Sequence, residues 1–428
     1  MQHRGIKILS LALLGSSVLV PAVAAQDSDQ VMSIYERYRP DLSAKGIRTG
    51  GFLFYPEIKA EGEFDSNIYA TDDNNVDDVD DFIAIVKPSF RLQSNWNSNS
   101  FALFAGADIG RYADNSAEDY EDFNVGASGR IDMSHGSNIF VDLTYADMHE
   151  DRGSPDSVGT QAEATTFSTL KAIAGFKRDE GVMSFAVDGS YEKNDYDDAR
   201  LNGGGRLEND DRDRETIRSS VRIGFDLNDD YEAFVKFATV AVEYDDSRLD
   251  GGPLRDSDGW DVVGGAAFNV GGSSVGEFYV GYVKRDFDKA SFADASEMKF
   301  GASMLWSGDL TSFKVAIDRD VAETTLEADN ASGQRVASAG ILSTSYSARI
   351  EHELRRNLLL GADISYNKMD FINTVRDDDV TKLGLGAKYL LNRTFSLNAD
   401  YKFDKRSTNE VNQDYKRHSF IVSLGAQW

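Results

Sequence analysis

The stretch TFSLNADYKFD, residues 394–404, alternates apolar and polar side chains without a break. The apolar ones share one parity and are Phe395, Leu397, Ala399, Tyr401 and Phe403. Successive side chains of a β-strand point to opposite faces of the sheet, so this period of two predicts a strand with one apolar and one polar face. A helical period does not fit the stretch. The fold is therefore expected to be built from amphipathic β-strands.

The last residues of the chain, SFIVSLGAQW, repeat this pattern and end on an aromatic side chain. Phe420, Val422, Leu424 and Trp428 lie on the apolar parity. An aromatic C-terminus on an alternating strand is what the outer-membrane assembly machinery is expected to recognise. We therefore predict that these four residues form an assembly signal and that their strand is the last of a barrel.

The alternation recurs from about residue 51 to the C-terminus and predicts about 18 strands, the last from about residue 415, with about 16 as the alternative count. Short connections such as 97–99 alternate with long acidic ones such as 150–161 and 322–335. Short periplasmic turns, long extracellular loops and an even strand number are typical of bacterial outer-membrane barrels. The predicted fold is an all-β, antiparallel up-and-down transmembrane barrel over residues 51–428.

The N-terminus has the features of an export signal. A basic start, MQHRGIK, precedes an apolar stretch from Ile8 to Val20 and small residues up to Ala25. This stretch is shorter than the roughly 20 residues that a membrane-spanning helix needs. We predict a signal peptide over residues 1–25. Residues 26–50 show no sustained alternation and are predicted to be a periplasmic segment, either an unstructured leader or a plug.

Composition narrows the classes of function. The chain has no cysteine, which excludes disulfides and thiol chemistry. It has 72 acidic and 45 basic residues and a net charge of -27, so nucleic acid is not an expected partner. The mean hydropathy is that of a water-soluble protein. A barrel gives the same average, however, because only alternate side chains of each strand face lipid.

Charged residues within the strands fall on the polar parity. A Lys or Arg facing lipid at mid-membrane costs roughly 2 to 4 kcal/mol, so these side chains should face inward. A barrel of about 18 strands is wide enough for an aqueous lumen. The charges either contact a polar solute or only solvate one another and the channel water. The predicted lumen-lining residues are Arg218, Arg222, Lys314, Asp318, Arg349, Asp363, Lys388, Asp400 and Lys402.

Motifs for catalysis or metal binding are weak. GSSVG at residues 272–276 matches a nucleophile elbow, but that motif needs a strand-to-helix turn and here strands are predicted on both sides. The five histidines are scattered and form no catalytic set or zinc spacing. The acidic run 72–81 has Asp78 where an EF-hand loop needs glycine. We predict no enzymatic activity, no cofactor and no metal site. Cation bridging from the acidic loops to neighbouring lipopolysaccharide is a further hypothesis.

Several short motifs resemble the putative β-barrel porin 2 family. They are Tyr38-Arg39-Pro40, Gly46-Ile47-Arg48, Gly51-Phe52, Tyr55-Pro56, Asp65-Ser66-Asn67-Ile68-Tyr69, Gly110-Arg111-Tyr112, Asp119-Tyr120-Glu121-Asp122 and Glu150-Asp151-Arg152. Ser66 replaces the second aspartate that the family usually has. The resemblance covers residues 38–155 and implies a Gram-negative outer-membrane protein that accompanies exopolysaccharide export.

The sequence thus predicts a conduit for exopolysaccharide or other polar cargo. The alternative is a general diffusion porin for small polar solutes. A structural or adhesive barrel acting through its acidic loops is a third interpretation, and an outer-membrane hydrolase is the last. The expected partners are outer-membrane lipid and lipopolysaccharide, the outer-membrane assembly machinery, and the periplasmic polysaccharide export protein that the family resemblance implies.

Overall fold

The computed structural model describes residues 31–72, 78–134, 136–157, 161–245 and 254–428. The predicted signal peptide, residues 73–77 of the acidic run and His135 lie outside these ranges. The strands of the wall are β1 (Phe52–Asp65), β2 (Asp81–Ser94), β3 (Ser100–Tyr112), β4 (Tyr120–Asp132), β5 (Ser137–His149), β6 (Thr166–Glu180), β7 (Met183–Tyr196), β8 (Arg214–Asn228), β9 (Tyr231–Tyr244), β10 (Ser257–Val270), β11 (Ser274–Phe287), β12 (Ala295–Ser307), β13 (Thr311–Ala322), β14 (Gly340–Arg355), β15 (Leu358–Ile372), β16 (Asp377–Leu390), β17 (Phe395–Thr408) and β18 (Tyr415–Gln427).

Each strand pairs antiparallel with its sequence neighbour, and β1 pairs with β18 to close the ring. In the closing pair Glu57 lies opposite Gln427 and Phe64 lies opposite Phe420. Closure leaves no free sheet edge, so every wall strand has a hydrogen-bonding partner on both sides in a bilayer that offers no water. The predicted all-β barrel and its count of 18 strands are confirmed: the first begins at Phe52 and the last at Tyr415.

Connections differ in length at the two ends of the barrel. Tight turns such as 229–230 and 356–357 lie at one end, together with the start of β1 and the end of β18. Longer loops such as 150–165 and 323–339 lie at the other end. The loops 113–119, 288–294 and 373–376 on that side are shorter than the acidic loops that the sequence indicates. The predicted asymmetry of periplasmic turns and extracellular loops is confirmed.

Short strands and turns lie outside the 18 wall strands of the described residues. Ile47–Thr49 pairs with the first residues of β1. Within the long loops, Ala199–Arg200 pairs with Arg206–Leu207, and Glu327–Asp329 pairs with Arg335–Ala337. Single 3-10 turns occupy Ser116–Glu118 and Asp210–Arg212.

The outer face of the wall carries large apolar side chains that no other part of the chain covers. Phe420, Val422 and Leu424 on β18 are 54%, 58% and 51% exposed. The same holds for Val221, Ile223 and Phe225 on β8. Such a band of exposed apolar side chains fits contact with lipid hydrocarbon.

No α-helix in the described ranges is long and apolar enough to cross a bilayer.

Candidate functional site

One side of the lumen is filled by ion pairs. Arg222 of β8 contacts Glu232 of β9 at 2.8 Å and Glu277 of β11 at 3.3 Å. On a flat sheet, strands three positions apart are separated by roughly 14 Å, because neighbours lie about 4.8 Å apart. Their side chains meet here because the wall curves tightly inward. Glu232 is only 2% exposed, so this part of the lumen is packed with side chains.

Two glycines lie in this curved part of the wall. A Cβ added to Gly281 of β11 would lie 1.9 Å from the backbone oxygen of Val262. A Cβ added to Gly265 of β10 would lie 2.2 Å from the backbone oxygen of Phe278. Only a residue without a side chain allows the strands to approach so closely.

The packed side extends to β13. Arg218 pairs with Asp261, and Lys299 bridges Asp261 at 3.3 Å and Asp320 at 2.6 Å. The hydroxyl of Tyr279 donates to Asp318. Arg218, Arg222 and Asp318 were expected to line the lumen, and they lie on its inner face within this network. Four further members of the network were not predicted from the sequence, although each is a charged residue on the polar parity of its strand: Glu232, Asp261, Glu277 and Lys299.

The other side of the lumen is open and holds two cavities. The smaller, of about 240 Å³, is lined by Lys59, Glu61, Lys388, Asn398 and Asp400 together with Tyr35. The larger, of about 650 Å³, is lined among others by Tyr55, Arg91, Asp108 and Asn124. Lys87 lies between them and contacts Glu61 at 3.0 Å and Asp108 at 2.8 Å. The open side therefore offers a polar surface with charges of both signs.

The remaining predicted lumen residues lie on strands β13 to β17. Arg349 of β14 contacts Glu351 at 2.7 Å and Asp363 of β15 at 3.6 Å. Lys314 of β13 lies directly opposite Arg349 in the strand register. Lys388 and Asp400 line the smaller cavity, and Lys402 is exposed on β17. Of the predicted residues, Arg218, Arg222 and Asp318 thus lie in the packed network, whereas Lys388 and Asp400 line the smaller cavity.

A long loop crosses the extracellular opening. We call residues 150–157 and 161–165, in the loop that joins β5 to β6, the lid loop. Asp151 contacts Arg417 of β18 at 3.1 Å, and Arg406 of β17 donates to the backbone oxygen of Ser154 at 3.3 Å. Asp156 accepts a hydrogen bond of 2.7 Å from Thr324, which lies in the loop after β13, eight strands further round the ring from β5. The lid loop is therefore fastened on both sides of the opening.

Arginines fix the base of the lid loop. Arg152 forms a hydrogen bond of 2.9 Å to Glu118, and the two side chains are 6% and 4% exposed. Arg212 contacts Glu150 at 2.6 Å. Such charge-assisted pairs are geometrically specific, and removing one partner leaves the other charge buried. The Arg200 guanidinium, 2.6 Å away, holds the pKa of Glu163 below its ordinary value, so this carboxylate stays charged.

A second segment narrows the periplasmic opening. We call residues 31–45 the N-terminal strap. The Ile34 backbone N–H donates to Ser312 Oγ at 2.9 Å, and the Tyr35 backbone N–H donates to Glu351 Oε2 at 3.0 Å. Arg39 contacts Glu353 at 2.8 Å, and Ile34 is fully buried. The described part of the predicted periplasmic segment therefore packs against the inner face of β13 and β14.

The C-terminal residues lie at the seam of the barrel. Phe420, Val422 and Leu424 face outward on β18, and Trp428 is 48% exposed. The backbone N–H of Trp428 donates to the carbonyl oxygen of Pro56 in the closing strand β1 at 3.2 Å. The predicted assembly signal thus lies at the junction of β18 with β1, which joins the last strand of the chain to the first.

The enzyme-like motif 272–276 lies at the turn between β10 and β11. Gly271 and Gly272 have φ of 61° and 64°, values that glycine adopts easily in a tight hairpin. The histidines of the wall lie apart: His149 contacts Asp122, His352 contacts Thr311 and His418 contacts Tyr401. Within the described ranges no group of histidines and carboxylates is placed to hold a metal ion.

A closed antiparallel barrel with an apolar outer wall, a charged interior and opposite turn and loop ends defines a porin-like protein of the Gram-negative outer membrane. The family model that matches this chain covers residues 39–428. The chain belongs to the putative β-barrel porin 2 family. The match confirms the resemblance seen in the sequence motifs and extends it over the entire barrel.

Solved structures of bacterial proteins match this chain at low sequence identity. OpdO of Pseudomonas aeruginosa has 13% identity and a TM-score of 0.45, with 91% of this chain and 99% of that chain covered. OccAB4 of Acinetobacter baumannii has 12% identity and a TM-score of 0.43, covering 88% and 98%. The siderophore receptor PirA of Pseudomonas aeruginosa has 9% identity and a TM-score of 0.44, covering 88% and 80%. No curated protein matches the sequence.

Proposed function

We propose that this protein is a passive channel for small polar solutes. The observation that carries the proposal is the pair of cavities on the open side of the lumen: a polar one of about 240 Å³, and one of about 650 Å³ lined by both apolar and charged side chains. Pockets of roughly 300 to 1,000 Å³ accommodate small-molecule ligands, and one water occupies about 30 Å³. The larger cavity falls within this range and thus matches the volume of a sugar or an amino acid together with part of its hydration.

The charged side chains on the open side of the lumen suit solutes that carry no net charge. Lys59 and Lys388 face the same cavity as Glu61 and Asp400. Fixed charges in a pore replace part of the hydration shell of a permeating solute. Because both signs are present, the lining favours neutral polar or zwitterionic solutes over highly charged ions of one sign.

Export of exopolysaccharide with a periplasmic partner is the competing function, and it rests on the family resemblance. A polymer needs a continuous passage that stays open along its length. Here the lid loop is fastened to β17, β18 and the loop after β13, and the N-terminal strap is seated at the periplasmic opening. Two fastened segments support the passage of single small solutes more than that of a polymer.

Planar-bilayer conductance and vesicle swelling test this proposal. Protein extracted from outer membranes should give steady conductance without any partner, and vesicles containing it should swell in monosaccharides faster than in trisaccharides. Lys388→Gln and Asp400→Asn should shift the anion-to-cation permeability ratio in opposite directions. Lys405→Gln, on an exposed residue away from the cavities, is the matched control. Conductance that requires added periplasmic protein would instead favour export.

A further inference from the structure

The N-terminal strap is held by several independent contacts along its length. Near its start, Ser307 donates to the carbonyl oxygen of Met32 at 2.5 Å. Arg37 donates to the backbone oxygen of Asp309 at 2.6 Å and to Ser307 Oγ at 2.7 Å, both at the turn between β12 and β13. Further on, Arg393 donates to the carbonyl oxygen of Pro40 at 2.8 Å, at the turn between β16 and β17. The strap therefore spans the inner rim from one turn to the other.

The wall provides a specific seat for the middle of the strap. Ser312 and Glu351 accept the backbone N–H groups of Ile34 and Tyr35, and Ser312 Oγ also donates to Glu351 at 3.2 Å. Glu351 is 5% exposed, which is unusual for a carboxylate unless its hydrogen bonds are satisfied. The backbone N–H groups of Ile34 and Tyr35, which lie outside any strand, are therefore hydrogen-bonded to side chains of the wall. The seat is thus part of the folded barrel.

This seat places the side chain of Tyr35 against the smaller cavity. Its ring lies under the Arg349 guanidinium, whose carbon is 5.5 Å from the ring centroid. Gly361 lies beside it: a Cβ at that position would be 3.0 Å from the Tyr35 hydroxyl oxygen. Tyr35 lines the smaller cavity together with Lys59, Lys388 and Asp400 of the wall strands. A residue from outside the wall strands therefore forms one side of the narrow space.

We propose that Tyr35 is a specificity-determining residue of the channel, held in place by the strap as a resident part of its wall. This inference rests on the proposed channel function. The Tyr35 side chain sets the upper size of sugar that passes the smaller cavity. Monosaccharides pass beside it and trisaccharides are held back.

Substitution of Tyr35 tests this role by vesicle swelling and single-channel conductance. Tyr35→Ala is expected to raise the trisaccharide rate relative to the monosaccharide rate by about threefold and to increase unit conductance, because pore diameter governs passage. Tyr35→Trp is expected to lower the monosaccharide rate. Tyr38→Ala is the matched control, since Tyr38 lies on the same strap and is 55% exposed. Heat-modifiable mobility on gels verifies that each variant is folded.

A cross-link distinguishes a resident wall from a movable plug. The chain has no cysteine, so Ile34→Cys combined with Ser312→Cys gives one unambiguous disulfide between strap and wall. The oxidised protein should conduct and discriminate sugars as the reduced protein does. Loss of conductance on oxidation would overturn the proposal, because it would mean that the strap leaves its seat during permeation. Unchanged sugar rates in both Tyr35 variants would also overturn it.

The channel function and the role of Tyr35 fail in different ways. If the unaltered protein neither conducts nor admits any sugar, the channel function itself is wrong. If it conducts and admits monosaccharides while the Tyr35 variants match Tyr38→Ala, only the role of Tyr35 is wrong.

Discussion

At the scale of single residues, glycine decides how sharply the wall bends. Gly281 faces inward where β11 approaches β10, and an added Cβ would meet the Val262 backbone oxygen. Gly281→Ala should lower the free energy of unfolding by about 1 to 3 kcal/mol, the usual cost of forcing an extra group into packed space. Urea unfolding of the protein in lipid vesicles measures this. Gly264→Ala is the control, because its added Cβ has its nearest neighbour at 3.9 Å. Equal unfolding midpoints would contradict the close approach.

The carboxyl of Asp213 makes the loop between β7 and β8 sensitive to pH. Burial raises the pKa of Asp213 to about 6 from an ordinary value of 3.8, with help from Asp195 and Asp210 and against a hydrogen bond from the Tyr196 N–H. The folded loop therefore prefers the protonated form. Protonation of Asp213 therefore stabilises the folded loop. This contribution is complete below about pH 4 and is lost as the pH rises through about 6.

Hydrogen exchange of residues 197–213, corrected for the intrinsic pH dependence, should therefore show more protection at pH 4 than at pH 7.5. Asp213→Asn stays neutral at every pH and should remove this difference. Asp229→Asn, in a turn at the other end of the barrel, should leave it unchanged. A loop with the same corrected protection at both pH values in the unaltered protein would show that Asp213 does not control it.

At the scale of elements, the lid loop depends on one arginine. Three carboxylates converge on Arg417: Asp404 at 2.8 Å, Asp151 at 3.1 Å and Asp65 at 4.0 Å. Without the cation these like charges repel one another, and Asp151 carries the lid loop away from the wall. Arg417→Gln should therefore raise single-channel conductance, by about twofold if the loop leaves the opening.

Lys405→Gln removes the same charge from an exposed residue of β17 and serves as the control for Arg417→Gln. High salt should partly reproduce the effect of Arg417→Gln in the unaltered protein, because mobile ions screen the contact with Asp151, which is 58% exposed. An Arg417→Gln channel with unaltered conductance would mean that the other contacts of the lid loop are sufficient.

At the scale of the whole molecule, the barrel must close in the membrane, and its last strand carries the aromatic terminus. Trp428→Ser should reduce the amount of folded barrel in outer membranes several-fold, because the predicted assembly signal is incomplete. The heat-modifiable band in outer-membrane fractions measures this. Trp306→Ser is the matched control, since Trp306 is also on the wall and is 41% exposed. Equal yields from both variants would remove the special role of the C-terminus.

The sequence by itself determined the strands and their faces. Each strand is amphipathic on its own, so the run from Phe395 to Phe403 shows its lipid-facing parity without knowledge of any partner. Turn lengths then indicate which end faces the periplasm. For the same reason, the charged residues of the polar parity could be assigned to the lumen, and Lys388 and Asp400 do line its open side.

Only the tertiary structure decided which inner side chains meet. The contact of Arg222 with Glu277 depends on the tight curvature between β8 and β11, and no single strand encodes that curvature. The contact of Asp156 with Thr324 and that of Tyr35 with Glu351 join residues far apart in the chain, in segments without a periodic pattern. Alternation is a local property that each strand carries separately, whereas the shape of the lumen follows from closing all the strands into one ring.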